Sequence, residues 1–126
     1  MDIKRLDHFV ITVQDIERSC RFYHQILGMQ IITFDNGRKA LRFADMKINL
    51  HQVEHEFEPK AAIATPGTAD ICFIVKTHIS DVLTELRTKN IPIEQGPVPK
   101  NGALGPIESI YFRDPDKNLI ELANYR

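Results

Sequence analysis

Hydrophobic and polar residues alternate over HFVITV, residues 8 to 13, and the stretch is rich in β-branched side chains; both features predict a strand. The period then changes. In QDIERSCRFYHQILGM, Ile16, Cys20, Tyr23 and Leu27 fall on one face at helical spacing. Asp15 is placed to cap the first turn and Gly28 to end the last. Short strands are expected next over 29–34, 39–44 and 47–52, with a turn at Asp35-Asn36-Gly37. The same order then returns. DICFIV, residues 70 to 75, predicts a strand, and THISDVLTELRTKN predicts a helix with Ile79, Val82, Leu83 and Leu86 on one face and Asn90 as its stop. Further strands are expected over 91–94, 109–113 and 119–123. The Pro/Gly-rich GPVPKNGALGP reads as a long loop, and Asp114-Pro115-Asp116 as a turn.

The chain thus reads as βαβββ twice, an α+β arrangement. His8 matches Asp70 at an offset of 62 residues (70 − 8), and Ile31 matches Ile93 at the same offset (93 − 31). Asn49 matches Glu121 at 72 (121 − 49), and the long loop supplies the extra ten. Two modules, 4–55 and 68–125, are expected within one domain, 1–126, joined by a linker over 56–69. Each half alone is small for a good core, so the halves are expected to pack together.

Strand alternation sorts the side chains further. Phe9, Ile11, Val13, Ile48, Leu50, Ile71, Phe73, Val75, Ile120 and Leu122 are expected to face the helices. His8, Asn49, His51, Asp70 and Glu121 are expected on the opposite face. Such a face is either simply solvated or a metal site, since imidazole and carboxylate together form a ligand set for Zn, Fe, Mn, Ni or Co. Glu121 sharpens the question: it sits between Ile120 and Leu122, and a lone buried carboxylate is costly unless paired, hydrogen-bonded or metal-bound.

Composition narrows the field. The chain has 126 residues, is 43% hydrophobic and 26% charged, and carries a net charge of −1, so no charge-driven nucleic-acid or membrane partner is expected. No apolar stretch approaches the roughly 20 residues of a membrane span, and MDIKRLDHF has no apolar signal-peptide core. Cytoplasm is the expected location. Cys20 and Cys72 are in no metal or redox spacing and are expected to be buried structural thiols. His24, His55 and His78 are expected at the surface. Phosphate-binding, dinucleotide-binding, nucleophile-elbow and HExxH motifs are absent from the sequence.

LDHFVITVQDIERSCRFYHQILGM at the start and YFRDPDKNLIEL at the end, around the duplicated order, resemble the vicinal oxygen chelate superfamily, which includes glyoxalase I, methylmalonyl-CoA epimerase, extradiol dioxygenases, and fosfomycin- and bleomycin-resistance proteins. INLHQ, EFEPKA and SIYFRDPD are similar to the branch of glyoxalase-domain-containing protein 5 and small virulence-associated proteins of enteric bacteria. The resemblance implies a curved mixed sheet with a U-shaped cleft, helices on the outer face, and a homodimer. It implies a divalent metal ion and a small-molecule substrate. His8 stands at the first-strand ligand position and Glu121 at the last-strand carboxylate. Asp70 replaces a common His, and Asn49 a common Glu, Gln or His; His51, two residues on, is the expected substitute. The implied ligands are therefore His8, His51 and Glu121, with Asp70 as a further ligand, an orienting partner or a general base, and a displaced Glu121 as the other candidate base. Lys117 stands where the DPDG turn has Gly. Arg42, Tyr111 and Arg113 are expected to line the cleft, and two arginines favour an anionic substrate. The implied activity is a metal-dependent lyase or isomerase of glyoxalase type acting on adjacent oxygens. The alternatives are an extradiol-type dioxygenase, against which Asp70 counts, and a metal-free protein that sequesters a small molecule.

Overall fold

The computed structural model describes residues 1–126 and divides them into two compact units, Met1–Gly67 and Thr68–Arg126. The first unit holds β1 (His8–Val13), α1 (Ile16–Leu27), β2 (Gln30–Phe34), β3 (Arg38–Phe43) and β4 (Met46–Gln52). The second holds β5 (Asp70–Ile74), α2 (Ile79–Thr88), β6 (Gln95–Gly102), β7 (Gly105–Arg113) and β8 (Leu119–Tyr125). Each is a βαβββ module with its own four-stranded sheet, in the order β1-β4-β3-β2 and β5-β8-β7-β6. First and last strands pair parallel in each sheet; the other neighbours are antiparallel. The duplication extends to register. His8 lies opposite Lys47, and Asp70 opposite Leu119, so the same pairing recurs 62 residues on (70 − 8) in one strand and 72 on (119 − 47) in the other.

Local chemistry explains the helices. The Asp15 carboxylate accepts from the Arg18 backbone N–H at 3.1 Å, and Gly28, at φ +69°, closes the last turn with its N–H on the His24 carbonyl at 3.0 Å. Between those caps, α1 buries Ser19, Cys20 and Tyr23. The sheet beneath contributes buried Ile11, Val13, Leu41, Ile48 and Leu50. Asp15→Ala is expected to cost about 1 kcal/mol, read as a lower urea midpoint at unchanged slope. In the second unit α2 buries Ile79, Val82 and Leu86, with Ile110, Phe112, Ile120 and Leu122 also in the core. His78 caps it, accepting from the Ser80 N–H at 3.2 Å, and the chain leaves through Asn90 at φ +58°. No helix is long and apolar enough to cross a membrane.

The strand expected over 91–94 is absent, since β6 begins only at Gln95, and two further expectations are corrected. The Pro/Gly-rich stretch is not a loop: it forms β6 and the start of β7, a hairpin paired from Gly102–Gly105 back to Val98–Ser109. β6 is the outermost strand of its sheet, so Pro97 and Pro99 remove no donor that an inner strand would need. The ladder is irregular between Gln95 and Val98. There Gly96 takes φ +112°, and a Cβ would lie 2.4 Å from the Ser109 carbonyl oxygen. The second correction is Cys72, which is exposed while Cys20 is buried. Cys72 lies on the sheet face away from α2, where no helix covers it.

Candidate functional site

The registers turn each helix-free sheet face into rows of side chains. In the first unit one row runs His8, Lys47, Arg42, Gln30, and the next runs Val10, Asn49, Ala40, Ile32. In the second unit the matching rows are Asp70, Leu119, Arg113 and then Cys72, Glu121, Tyr111, Gln95. His8 thus corresponds to Asp70, Asn49 to Glu121, and Arg42 to Arg113.

His8 is oriented from behind. Its Nδ1–H donates to Asp7 Oδ2 at 2.7 Å, and Arg5 Nη2 donates to the other Asp7 oxygen at 3.4 Å. The His8 bond, helped by Arg5 and Lys47, holds the Asp7 carboxyl below its usual range. This carboxylate–imidazole pair sets the tautomer and leaves Nε2 as a lone-pair donor, the arrangement found behind metal-binding histidines. One row on, Asn49 is buried and its Oδ1 has no hydrogen-bond partner. An orphaned buried acceptor costs about 1–3 kcal/mol and calls for a donor or a cation.

His51 is placed differently from expectation. It lies opposite Thr12, four residues beyond Lys47 along β4. At ~3.3 Å per residue that separates it from His8 by roughly 13 Å along the strands, too far for both imidazoles to reach one ion at about 2 Å. Its chemistry is also committed. Nε2 accepts from Arg38 Nη2 at 3.3 Å, and the ring packs edge-on against Phe57 with centroids 5.6 Å apart. Burial, then the Arg38 charge, pushes the imidazole below its ordinary range, so it rests neutral. Alternation along β4 places His51 on the right face; only register shows that it stands too far along it.

In the second unit Glu121 is the centre of a polar row. Ser109 Oγ donates to its Oε2 at 2.5 Å, and Cys72 and Tyr111 are its strand partners on either side. Burial and the Glu121 carboxylate push Tyr111 up to about 12 and Cys72 up to about 11. Both therefore keep their protons at neutral pH. Asp70, one row away, is exposed. Arg113 forks onto Glu94, Nε to Oε1 at 2.8 Å and Nη2 to Oε2 at 2.9 Å, so its charge is compensated. Arg42 at the equivalent position has no such acid. Asp7, Ser109 and Phe57 were not singled out by sequence reasoning, and Cys72 was read only as a structural thiol; Asp7 was marked only by its adjacency to His8.

Within either unit no three His, Cys, Asp or Glu side chains are gathered into one metal-sized cluster. Taken unit by unit, the donors have chemistry that suits a divalent ion: in the first, an imidazole backed by a carboxylate and an orphaned amide oxygen; in the second, a carboxylate hydrogen-bonded by Ser109.

Comparison with known proteins bears on the fold and the family. Over 125 residues the chain is 55% identical to virulence protein STM3117 of Salmonella typhimurium, covering 99% of this chain and 87% of that one. The crystal structure of that protein matches with a TM-score of 0.99 over 100% of both chains. The chain is 48% identical over 126 residues to glyoxalase domain-containing protein RDO1 of Mycosarcoma maydis, covering 100% of this chain and 71% of that one. At 17% identity, a lactoylglutathione lyase from Agrobacterium tumefaciens shares the fold, with a TM-score of 0.77 over 98% of this chain and 96% of that one. Residues 5–122 match the family model of the Glyoxalase/Bleomycin resistance protein/Dioxygenase superfamily, and to that superfamily this chain belongs.

Proposed function

We propose that this protein is a metal-dependent lyase or isomerase of glyoxalase type, acting on a small substrate with two adjacent oxygens. The observation that carries the reading is His8, whose Nδ1–H is fixed on Asp7 while Nε2 stays free, one row from an unpartnered Asn49 oxygen. The proposed protein ligands are His8 in the first unit, with Asn49 Oδ1 as a further donor in place of His51, and Glu121 in the second. A bound Zn, Ni, Co, Mn or Fe ion would supply Lewis acidity toward the substrate oxygens and acidify the neighbouring C–H. The chain's own residues do the rest. Asp7 holds the His8 ring in one tautomer. Ser109 holds the Glu121 carboxylate through its hydroxyl. The exposed Asp70 carboxylate is the proposed proton acceptor. Tyr111, beside Glu121, and the arginines are the proposed substrate contacts.

The test is metal content, measured by mass spectrometry on protein reconstituted with each of the five ions. About one ion per chain is expected in the wild type, less than a tenth of that in His8→Ala and Glu121→Ala, and full occupancy in His51→Gln. No bound ion in the wild type with any of the five would sink the reading. Retained occupancy in His8→Ala would reassign the ligands.

A further inference from the structure

We propose that the first unit carries a recognition site for an oxyanion, a carboxylate or a phosphoryl group, built on Arg42 and Lys47. It deepens the proposed function, since Lys47 lies directly opposite His8 and the anion would be part of the substrate. Arg42 and Lys47 are themselves cross-strand partners on β3 and β4. Like charges directly opposite each other in a sheet repel. Neither makes a hydrogen bond or ion pair to a carboxylate; Lys47 Nζ instead sits 3.8 Å from the centroid of the Phe34 ring. A third cation without an acid, Arg38, approaches the same ring at 5.2 Å, and its Nε is buried with no partner. Two cations, Lys47 and Arg38, thus sit at one aromatic ring, and Arg42 stands directly opposite the first of them, so like charge is gathered on this face. An anion would relieve it.

The space for that anion is present. A hollow of about 500 Å³ opens between Arg42 and Lys47, with Ile32, Phe34 and Met46 as apolar walls, a volume that suits a small ligand. Arg5, Asp7 and Asp45 line it as well. Asp7 is already engaged by Arg5 and His8, and three cations face two carboxylates in all.

The duplication supplies an internal comparison. Arg113 holds the register position of Arg42 in the second unit, but its strand partner is Leu119 rather than a lysine, and Glu94 is forked onto it. That copy carries its own acid. The first unit has a second cation there, and neither it nor Arg42 is ion-paired with an acid. The ligand that fits has an oxyanion head, paired by the Arg42 fork with Lys47 as a point charge, and a short flat or apolar body against Ile32 and Phe34.

Chelator-dialysed protein is to be titrated with sodium benzoate and, separately, inorganic phosphate, followed by backbone amide NMR shifts. The proteins are wild type, Arg42→Gln, Lys47→Gln and, as a charge-matched control on α2, Arg87→Gln. Saturable shifts over residues 30–47 are expected in the wild type, with a dissociation constant in roughly the millimolar range or below. Affinity is expected to fall at least fivefold in both the Arg42 and Lys47 variants and to stay within twofold in the control. Saturation by benzoate alone would identify a carboxylate ligand, and by phosphate alone a phosphoryl ligand. The proposal is overturned if neither anion saturates, if either variant loses less than fivefold, or if the control loses as much. Without anion at low salt, the two variants are also expected to melt about 2 °C higher, because a like-charge pair has been removed; a lower melting point would mean the cations hold the fold instead, and would count against the site. With no metal present, failure here leaves the metal-content result untouched, and a metal-free wild type leaves this titration standing.

Discussion

Asp114→Ala is expected to destabilise the protein by about 3 kcal/mol or more. Asp114 and Asn118 are both almost fully buried, at 4% and 1% exposure. Asp114 Oδ1 accepts from the Asp116 and Asn118 backbone N–H groups, each at 2.9 Å, and Oδ2 accepts from Asn118 Nδ2 at 2.8 Å. Asn118 in turn accepts from the Ala69 N–H at 2.8 Å, the residue just before β5. Alanine would strand three donors in a site that water reaches poorly, and an unsatisfied buried donor costs about 1–3 kcal/mol. The damage would not stay local. This turn delivers Leu119 into β8, and with it the position of Glu121. Urea unfolding checks the magnitude. Asp114→Asn, which keeps one acceptor, should lose clearly less than Asp114→Ala. A loss under 1 kcal/mol for the alanine would show that water replaces the carboxylate and that the turn is not what holds β7 to β8.

Cys72 in chelator-treated protein is expected to react with iodoacetamide at pH 8 about twentyfold more slowly than an ordinary thiol, although it is exposed. Its thiol is pushed up to about 11, first by burial of the sulfur and then by Glu121. Against an ordinary thiol near 8.5, that lowers the thiolate fraction at pH 8 about two-hundredfold. The more basic thiolate is the better nucleophile, which returns about a tenfold factor. The rate should rise about tenfold per pH unit through pH 10, where an ordinary thiol has levelled off. Glu121→Gln removes the neighbouring negative charge and should speed the reaction severalfold at pH 8. Equal rates in wild type and Glu121→Gln would mean that the carboxylate does not face the sulfur, and the row Cys72–Glu121–Tyr111 would have to be redrawn.

Much of this protein was legible in local chemistry. The caps at Asp15 and Gly28 follow from side-chain and backbone preferences that need no distant partner. The Asn90 stop and the turn after Asp114 were legible for the same reason. Lys117 takes φ +68° in that turn, the conformation that glycine adopts without strain, which is why its side chain stood out against the family pattern. The two-residue alternation of the strands also placed His8, Asn49, Asp70 and Glu121 on the helix-free faces, because a side chain's face is set by its own strand.

The strand pairing decided what alternation left open. Alternation says which face a residue occupies, not how far along that face it stands. That distance is set by the ladder between strands remote in sequence. His51 therefore looked like a substitute for Asn49, yet the register with Thr12 carries it away from His8 and into the grip of Arg38 and Phe57. The Pro/Gly-rich hairpin was hidden for a related reason, since proline excludes a central strand but not an outermost one, and strand order is a tertiary fact. The same holds for charge. Arg42 and Arg113 are alike in sequence, but pairing gives one a lysine neighbour and the other a leucine neighbour, with Glu94 folded back onto the second. By itself the sequence determined the elements, the duplication and the polar faces; the tertiary structure decided which of those polar groups meet and which are left unpaired, because both depend on pairings between segments far apart in the chain.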